Sequence, residues 1–151
     1  MGTSSWLATL LDQEMLEAVR QPRIPIWPRT TLDGGLPQLQ GPQVAAQLGG
    51  RYLLRYLLPR QVSDVSIYAR DGSNAPHWVT PTPYAPDETV SWLALPVPTQ
   101  SRLFVMLLDP EKITRTICGP RWVRMGKGIE YLLRDGFPKE ALVFPWALQV
   151  T

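Results

Sequence analysis

A lone carboxylate follows a glycine-rich stretch near the C-terminal end of this chain. Glu130 comes two residues after Gly128, within the sequence "GKGIEYLLRDGFP" at residues 126–138. Because glycine has no side chain, a ligand can approach the backbone closely beside this carboxylate. Glu130 is either an acidic residue in the first turn of a helix, where it would complement the helix dipole, or a reaction centre. The neighbouring glycines favour the reaction centre.

Two arginines directly after a glycine pair are candidates for binding an anion. Arg51 and Arg55 follow the glycines at 49–50, and their spacing directs both side chains to one side of a predicted strand. Arginine is well suited to bidentate contact with phosphate groups. The structural alternative is that these arginines pair with Asp64 or Asp71.

A short threonine-proline stretch could present hydroxyl groups to a ligand. Thr80, Thr82 and Tyr84 alternate with Pro81 and Pro83. The prolines restrict the backbone, so the polar side chains would be held forward at a low entropic cost. The prolines also predict a sheet edge or rim with exposed threonines, and a purely structural edge strand is the alternative.

The counts of two residue types exclude most familiar catalytic machinery. His77 is the only histidine and Cys118 the only cysteine. An internal disulfide, a cysteine-rich zinc site and a zinc site with two histidines are therefore excluded, and no metal site is predicted. Cys118 and His77 could still form a nucleophilic pair. However, Cys118 closes the apolar run "ITRTIC", where a thiol usually serves as inert packing.

Length, hydropathy and charge are those of a water-soluble globular chain. It has 151 residues, 44% of them hydrophobic, and no apolar run approaches the roughly 18 residues that span a membrane. Residues 1–11 lack the pattern of a secretory signal, so we expect a cytosolic site of action, in the producing or a target cell. A net charge of +2 with 19% charged residues disfavours nucleic-acid binding through Arg51, Arg55, Arg121 and Arg124.

The first third of the sequence predicts helices on both sides of a proline-rich segment. Leucines near helical spacing predict an amphipathic helix over residues 4–20, and a second short helix is predicted at 43–50, closed by the glycine pair. Residues 21–42 contain many prolines and predict an extended wrap or linker. We therefore divide the chain into an N-terminal segment, 1–50, and an α+β core, 51–151, with one compact domain as the alternative.

The remaining sequence is dominated by short apolar runs typical of strands. Strands are predicted at 51–59, 64–70, 102–108, 112–118 and 141–150, with an extended edge segment at 77–84 and a helix at 87–95. This pattern predicts an α+β fold with a mostly antiparallel sheet and few short helices.

The order of these candidate groups resembles that of NAD-dependent ADP-ribosyltransferases. An arginine on an early strand, hydroxyl residues on a middle strand and a late glutamate after glycines follow one another over residues 51–151, roughly two-thirds of the chain. The ending "GKGIEYLLRDGFPKEALV" is similar to the closing segment of that family, including its bacterial toxin domains and related NAD glycohydrolase toxins. The resemblance implies a split antiparallel sheet and NAD as substrate.

The resemblance also implies a role for each candidate residue. Arg51, or otherwise Arg55, would bind the pyrophosphate of NAD. Glu130 would stabilise the positive charge that develops on the ribose as nicotinamide leaves. The other residues implied in NAD binding brace the pocket, stack on the nicotinamide or leave room for it: Thr80, Thr82, Tyr84, Trp78 and Gly128.

Two departures from the family pattern leave the reaction open. Gly128 stands where arginine-modifying members carry a second carboxylate or a glutamine, so the acceptor of ADP-ribose is either another macromolecule or water. The threonine-proline pattern at 80–83 also differs from the family's usual Ser-Thr-Ser. His77 could instead take the histidine role of the family's other branch, with Tyr84 as its tyrosine. Such toxins imply a neutralising immunity or antitoxin partner. The alternative function is a non-catalytic immunity or adaptor protein that binds its partner through residues 22–42.

Overall fold

The computed structural model describes residues 26–81, 104–123, 128–143 and 148–149. In these ranges the chain has an α+β fold with antiparallel sheets and two α-helices, as the apolar pattern predicts. The helices predicted at 4–20 and 87–95 lie outside the described residues. No helix in the described ranges combines the length and hydropathy needed to cross a membrane.

One sheet carries the threonine and glutamate strands. Its strands are β1 (Gln38–Leu39), β3 (His77–Val79), β5 (Ile117–Trp122) and β6 (Ile129–Leu133), in the spatial order β1-β5-β6-β3. All three strand pairs are antiparallel. Strand β6 is therefore hydrogen-bonded on both sides and is buried along its whole length.

The second sheet carries the early arginine strand. It contains β2 (Leu53–Leu57), β4 (Phe104–Leu108) and β7 (Leu148–Gln149), in the order β2-β4-β7. The two sheets meet where Leu54 and Thr80 exchange backbone hydrogen bonds of 2.8 and 2.9 Å. This isolated bridge makes β2 a neighbour of β3 and connects the two sheets.

Two helices accompany the sheets. Helix α1 (Gly41–Gln47) ends before Gly49 and Gly50, whose positive φ angles of 63° and 81° favour glycine, as predicted. Helix α2 (Val62–Asp71) occupies the segment predicted as a strand at 64–70, so that prediction is wrong.

The strand prediction fails because the residues of this segment that contact the core are spaced by a helical turn. The alternation of Val65, Ile67 and Ala69 mimics a strand, but Val65 and Tyr68, spaced by a helical turn, face the core, while Ile67 is exposed. Gly72, at φ 68°, then ends the helix.

The main hydrophobic core lies between helix α2 and one face of the joined sheets. It includes residues from β2, β3 and β6, such as Leu53, Leu57, Val79 and Leu133, together with Phe137. A smaller cluster of Leu36, Cys118 and Leu132 lies against the other face of the first sheet, with Trp78 packed onto it. Because neighbouring residues on a strand point to opposite faces, β3, β5 and β6 contribute side chains to both clusters.

The proline-rich segment is part of the sheet. Strand β1 pairs with β5, and Trp27 exchanges backbone hydrogen bonds of 2.9 and 3.0 Å with Pro120 and Trp122. A 3₁₀ turn, Asp33–Gly35, connects these two contacts. Residues of the segment 26–42 therefore pair with a strand of the predicted core.

The later strands begin and end at other residues than the sequence indicates. Strands β2 and β4 confirm the predicted runs at 51–59 and 102–108. The strand predicted at 112–118 starts only at Ile117, after the 3₁₀ turn Pro110–Lys112, and continues to Trp122. The strand predicted at 141–150 is represented by β7, preceded by the 3₁₀ turn Lys139–Ala141.

Candidate functional site

Glu130 lies inside a strand, on a hairpin formed with the preceding strand. It is the second residue of β6 and pairs with Arg121 of β5. The N–H of Val123 donates to the carbonyl of Gly128, closing the hairpin on the far side of this pair, at 2.9 Å. The alternative of a carboxylate in the first turn of a helix is therefore wrong. Gly128 itself is buried, at the end of the hairpin where the two strands approach the turn.

Thr80 lies beside Glu130 on the neighbouring strand. Val79, the last residue of β3, pairs with Tyr131. Continuing this register by one residue places Thr80, which directly follows β3, across from Glu130. Residues opposite each other in an antiparallel pair point to the same face. Thr80 is only 1% exposed, since its backbone also pairs with Leu54. The prediction that this threonine is exposed at a sheet edge is therefore wrong.

The joined sheets thus align the three strands that carry the candidate residues. Strand β2 follows Arg51, β3 leads to Thr80, and β6 contains Glu130. The Leu54–Thr80 bridge connects the first two strands, and the β3–β6 ladder connects the second and third. The order of these strands across the sheet is therefore the order of the three groups in the sequence.

Arg121 forms a buried ion pair with Glu130. Its Nη2 and Nε donate to Oε2 of Glu130 at 2.9 and 3.3 Å. Its Nη1 donates to the carbonyl of Thr31 at 2.7 Å and to Oδ1 of Asp33 at 3.1 Å. The side chains of Arg121 and Glu130 are 5% and 11% exposed. Such charge-assisted bonds are strong where solvent is excluded, so the carboxylate is held firmly.

A bulge in β5 turns Arg121 toward Glu130. Cys118 pairs with Leu132 and Arg121 pairs with Glu130. The two β5 residues are three positions apart in sequence, whereas their partners in β6 are two positions apart, so β5 contains one extra residue. Without the extra residue, Cys118 and Arg121 would point to opposite faces. With the extra residue, the side chains of Cys118 and Arg121 both lie on the face of the first sheet that carries Trp78 and Glu130. The bulge contains Gly119, at φ 124°, followed by a cis peptide bond to Pro120.

Gly119→Ala is expected to destabilise the protein by about 2 kcal/mol, because a side chain is disfavoured at this φ. The added Cβ would also lie 3.2 Å from the carbonyl oxygen of Glu130. Urea denaturation checks this expectation, with Gly34→Ala as the control, since nothing lies within 4 Å of a Cβ placed there. Equal stability of the two variants would contradict the role of the bulge.

Trp78 contributes an aromatic surface next to the ion pair. The guanidinium carbon of Arg121 lies 4.6 Å from the centre of its ring. This distance is typical of a cation–π contact, which orients the guanidinium plane. The structure thus brings Trp78, Thr80 and Glu130 together on one face of the first sheet.

Arg51 is anchored at the start of the arginine strand. Its Nε donates to the carbonyl of Leu48 at 2.8 Å, in the loop that follows α1. Burial lowers the pKa of its guanidinium below its usual value.

Arg55 and His77 lie on the opposite face from Glu130. Arg55 alternates with Leu53 and Leu57, which pack into the main core, and His77 pairs with Leu133, another residue of that core. Oγ of Ser73 lies 2.8 Å from Nε2 of His77. The structure therefore does not bring Arg55 or His77 to the carboxylate, because the sheet lies between them.

Cys118 is separated from His77 in the same way. Cys118 packs with Leu36 and Leu132 on the Glu130 face, whereas His77 faces the main core. Burial raises the pKa of the Cys118 thiol, which disfavours the reactive thiolate. The alternative of a Cys118–His77 nucleophilic pair is wrong, and the interpretation of Cys118 as packing agrees with its position.

The other predicted ligands are not all within the described ranges. Thr82 and Tyr84 lie outside them, as do Gly126 and Lys127. Within the described residues, no group of three or more His, Cys, Asp or Glu side chains is arranged to hold a metal ion.

Sequence reasoning missed Arg121 as a member of this site. The sequence did contain a signal for it. A hairpin pairs residues that are equally far from its midpoint, and the midpoint between Arg121 and Glu130 lies beside Gly126 in the sequence.

Comparison of the chain with protein-family models, with curated proteins and with solved structures finds no match.

Proposed function

We propose that this chain is an enzyme that cleaves NAD at the nicotinamide–ribose bond, in the manner of ADP-ribosyltransferase-like toxins. One observation carries the proposal: β2, which follows Arg51, β3, which leads to Thr80, and β6, which contains Glu130, are neighbours in that order, and the β3–β6 register continued by one residue places Thr80 across from Glu130. An anion-binding cation, a hydroxyl group and a carboxylate on neighbouring strands are what binding and cleavage of a dinucleotide require.

The proposed reaction uses Glu130 to offset positive charge. As the bond between C1′ of the ribose and the nicotinamide nitrogen breaks, its electron pair leaves with nicotinamide and the sugar becomes cationic. The Glu130 carboxylate stabilises this cation. Water then forms a bond to C1′ and releases a proton, so that NAD and water yield ADP-ribose, nicotinamide and a proton.

The remaining candidates hold the dinucleotide. Arg51 precedes β2, outside the strand whose alternation places Arg55 on the opposite face, and is assigned the pyrophosphate. Thr80 is assigned the support of Glu130. Stacking on nicotinamide is assigned to Trp78 or Tyr84. Because Arg121 covers one face of the Trp78 ring, stacking of nicotinamide on Trp78 would use the other face of the ring.

The absence of a second carboxylate favours water as the acceptor of ADP-ribose. Gly128 stands where a second carboxylate or a glutamine would bind a protein arginine. Water or a neutral hydroxyl needs no such anionic partner. We therefore place hydrolysis first and transfer to a macromolecule second, with action in the cytosol and a neutralising immunity protein as partner.

Incubation of the purified protein with NAD, with chromatographic measurement of free nicotinamide and ADP-ribose, tests the proposal. We expect wild type to release both products, and Glu130→Gln to lower kcat by at least about 100-fold. Glu140→Gln is the matched control, since Glu140 is exposed in the 3₁₀ turn Lys139–Ala141. An inactive wild-type protein, or equal activity of the Glu130→Gln and Glu140→Gln variants, would contradict the proposal.

A second candidate function is a non-catalytic binding module, such as an immunity or adaptor protein. Three large apolar side chains on or near the proline-rich segment are exposed, namely Trp27, Leu32 and Trp122. One backbone hydrogen bond joins the N–H of Trp122 to the carbonyl of Trp27. Exposed aromatic side chains are common in protein interfaces. Absence of NAD cleavage, together with a partner lost on Trp27→Ala, would favour this function.

A further inference from the structure

Arg121 uses every nitrogen of its guanidinium group within the described part of the chain. Nε and Nη2 converge on Oε2 of Glu130, and Nη1 donates to Thr31 and Asp33. The plane of the group lies near the Trp78 ring. The guanidinium therefore cannot turn without breaking several bonds at once, and its orientation is fixed from two sides.

The two sides belong to different parts of the sequence. The β5–β6 hairpin supplies Arg121 and Glu130, while the proline-rich segment supplies Thr31 and Asp33. The contact with Thr31 is the shortest of the set and goes to a backbone carbonyl, so it depends on the path of the segment. Residues 31–33 thus hold the guanidinium that in turn holds the carboxylate.

We propose that Arg121 is the positioning residue of the reaction and that residues 31–33 complete the site by holding it. This inference rests on the proposed cleavage of NAD. Arg121 keeps the Glu130 carboxylate in one orientation toward the ribose and does not itself contact the substrate. Misplacement of a catalytic group by about 1 Å costs about 100-fold in rate, so such a residue controls kcat.

Arg121→Lys separates positioning from charge. Lysine keeps the positive charge, but a single ammonium group cannot reproduce the planar set of bonds to Glu130, Thr31 and Asp33. Since the pyrophosphate is assigned to Arg51, NAD affinity does not depend on these bonds. We expect Arg121→Lys to lower kcat by about 100-fold while KM stays within about threefold of wild type.

The matched control is Arg115→Lys. Arg115 also donates to two backbone carbonyls, those of Ser73 and Asp135, at 2.6 and 2.8 Å, but none of these residues contacts Glu130 in the described structure. Asp33→Asn is the second variant, in case Arg121→Lys fails to fold. Asp33 is largely exposed, so this change should preserve the fold, and we expect a severalfold fall in kcat with unchanged KM.

Steady-state kinetics of the four proteins, with thermal denaturation to verify folding, decides the question. A fall in kcat at constant KM in Arg121→Lys and Asp33→Asn, but not in Arg115→Lys, supports the inference. Unchanged kcat in folded Arg121→Lys overturns it, as does a rise in KM alone, which would make Arg121 a binding residue. If Arg121→Lys does not fold, unchanged kcat in Asp33→Asn overturns it. An inactive wild type overturns the proposed function as well, so the two failures are distinguishable.

Discussion

Arg121→Met is expected to lower the free energy of unfolding by about 3 kcal/mol, because it leaves the Glu130 carboxylate buried without its charged partner. Methionine fills much of the volume but donates no hydrogen bond, so the carbonyl of Thr31 also loses a donor. For a chain of this size we expect the midpoint of thermal unfolding to fall by about 6 to 12 °C. Calorimetry or circular dichroism measures this shift.

The double variant Arg121→Met/Glu130→Leu tests whether the cost arises from the unpaired charge. Removing both partners leaves an apolar pair next to Trp78 and Leu132, and such replacements are often neutral or stabilising. We expect the double variant to be more stable than Arg121→Met alone, with a coupling free energy of about 2 kcal/mol. Additive effects of the two substitutions would contradict a direct ion pair.

Arg70→Met provides the matched control for this experiment. Arg70 pairs with Asp71 at 3.0 Å, a similar distance to that between Arg121 and Glu130, but both side chains are mostly exposed. Solvent screens such a pair, so we expect no measurable change in unfolding free energy. The contrast between two arginines with similar ion-pair distances isolates the effect of burial.

Elements with strong local signals were predictable from the sequence. The runs that became β2 and β4 are apolar on both faces, which is typical of a strand buried on both faces. Helix α1 was predictable because the glycine pair Gly49 and Gly50 marks its end. Helix α2 was not, since only Val65 is fully buried and the sequence around it satisfies strand and helix periods alike.

The candidate site was only partly predictable, and the reason lies in long-range pairing. Glu130 and Thr80 could be proposed individually, but their proximity depends on the β3–β6 register, which pairs residues as distant in sequence as Val79 and Tyr131. The strand ending at Cys118 was cut short because Gly119 and Pro120 usually interrupt strands. Pairing with both β1 and β6 overrides that local preference and carries the strand on to Arg121.

The two faces of the first sheet have different electrostatic roles. On one face, charge is retained through pairing, as Glu130 and Arg121 show. On the other, His77 packs against Tyr68 and Phe137, with ring centres 5.5 and 5.3 Å away. Its Nδ1 has no hydrogen-bond partner in the described structure. This environment favours an uncharged ring, so acid should destabilise the core through His77.

Acidification is expected to remove about 3 kcal/mol of stability through His77. Burial, with a smaller contribution from the charge of Arg55, lowers the pKa of His77 from 6.5 to about 4. Between these two pH values the unfolded chain binds a proton at His77 that the folded protein does not. The contribution is therefore fully present above pH 6.5 and is lost as the pH falls through 4, and a difference of about 2.5 in pKa corresponds to about 3 kcal/mol.

Urea denaturation from pH 7 to pH 4 measures this effect, and His77→Gln isolates it. His77 is the only histidine, so the difference between the two pH profiles reports this ring, while carboxylates titrate in both proteins. Glutamine can still bond to Oγ of Ser73 but cannot be protonated. We expect His77→Gln to be less stable than wild type at pH 7 and to lose less stability on acidification. Parallel profiles would mean that His77 is protonated in the folded protein as readily as in the unfolded chain.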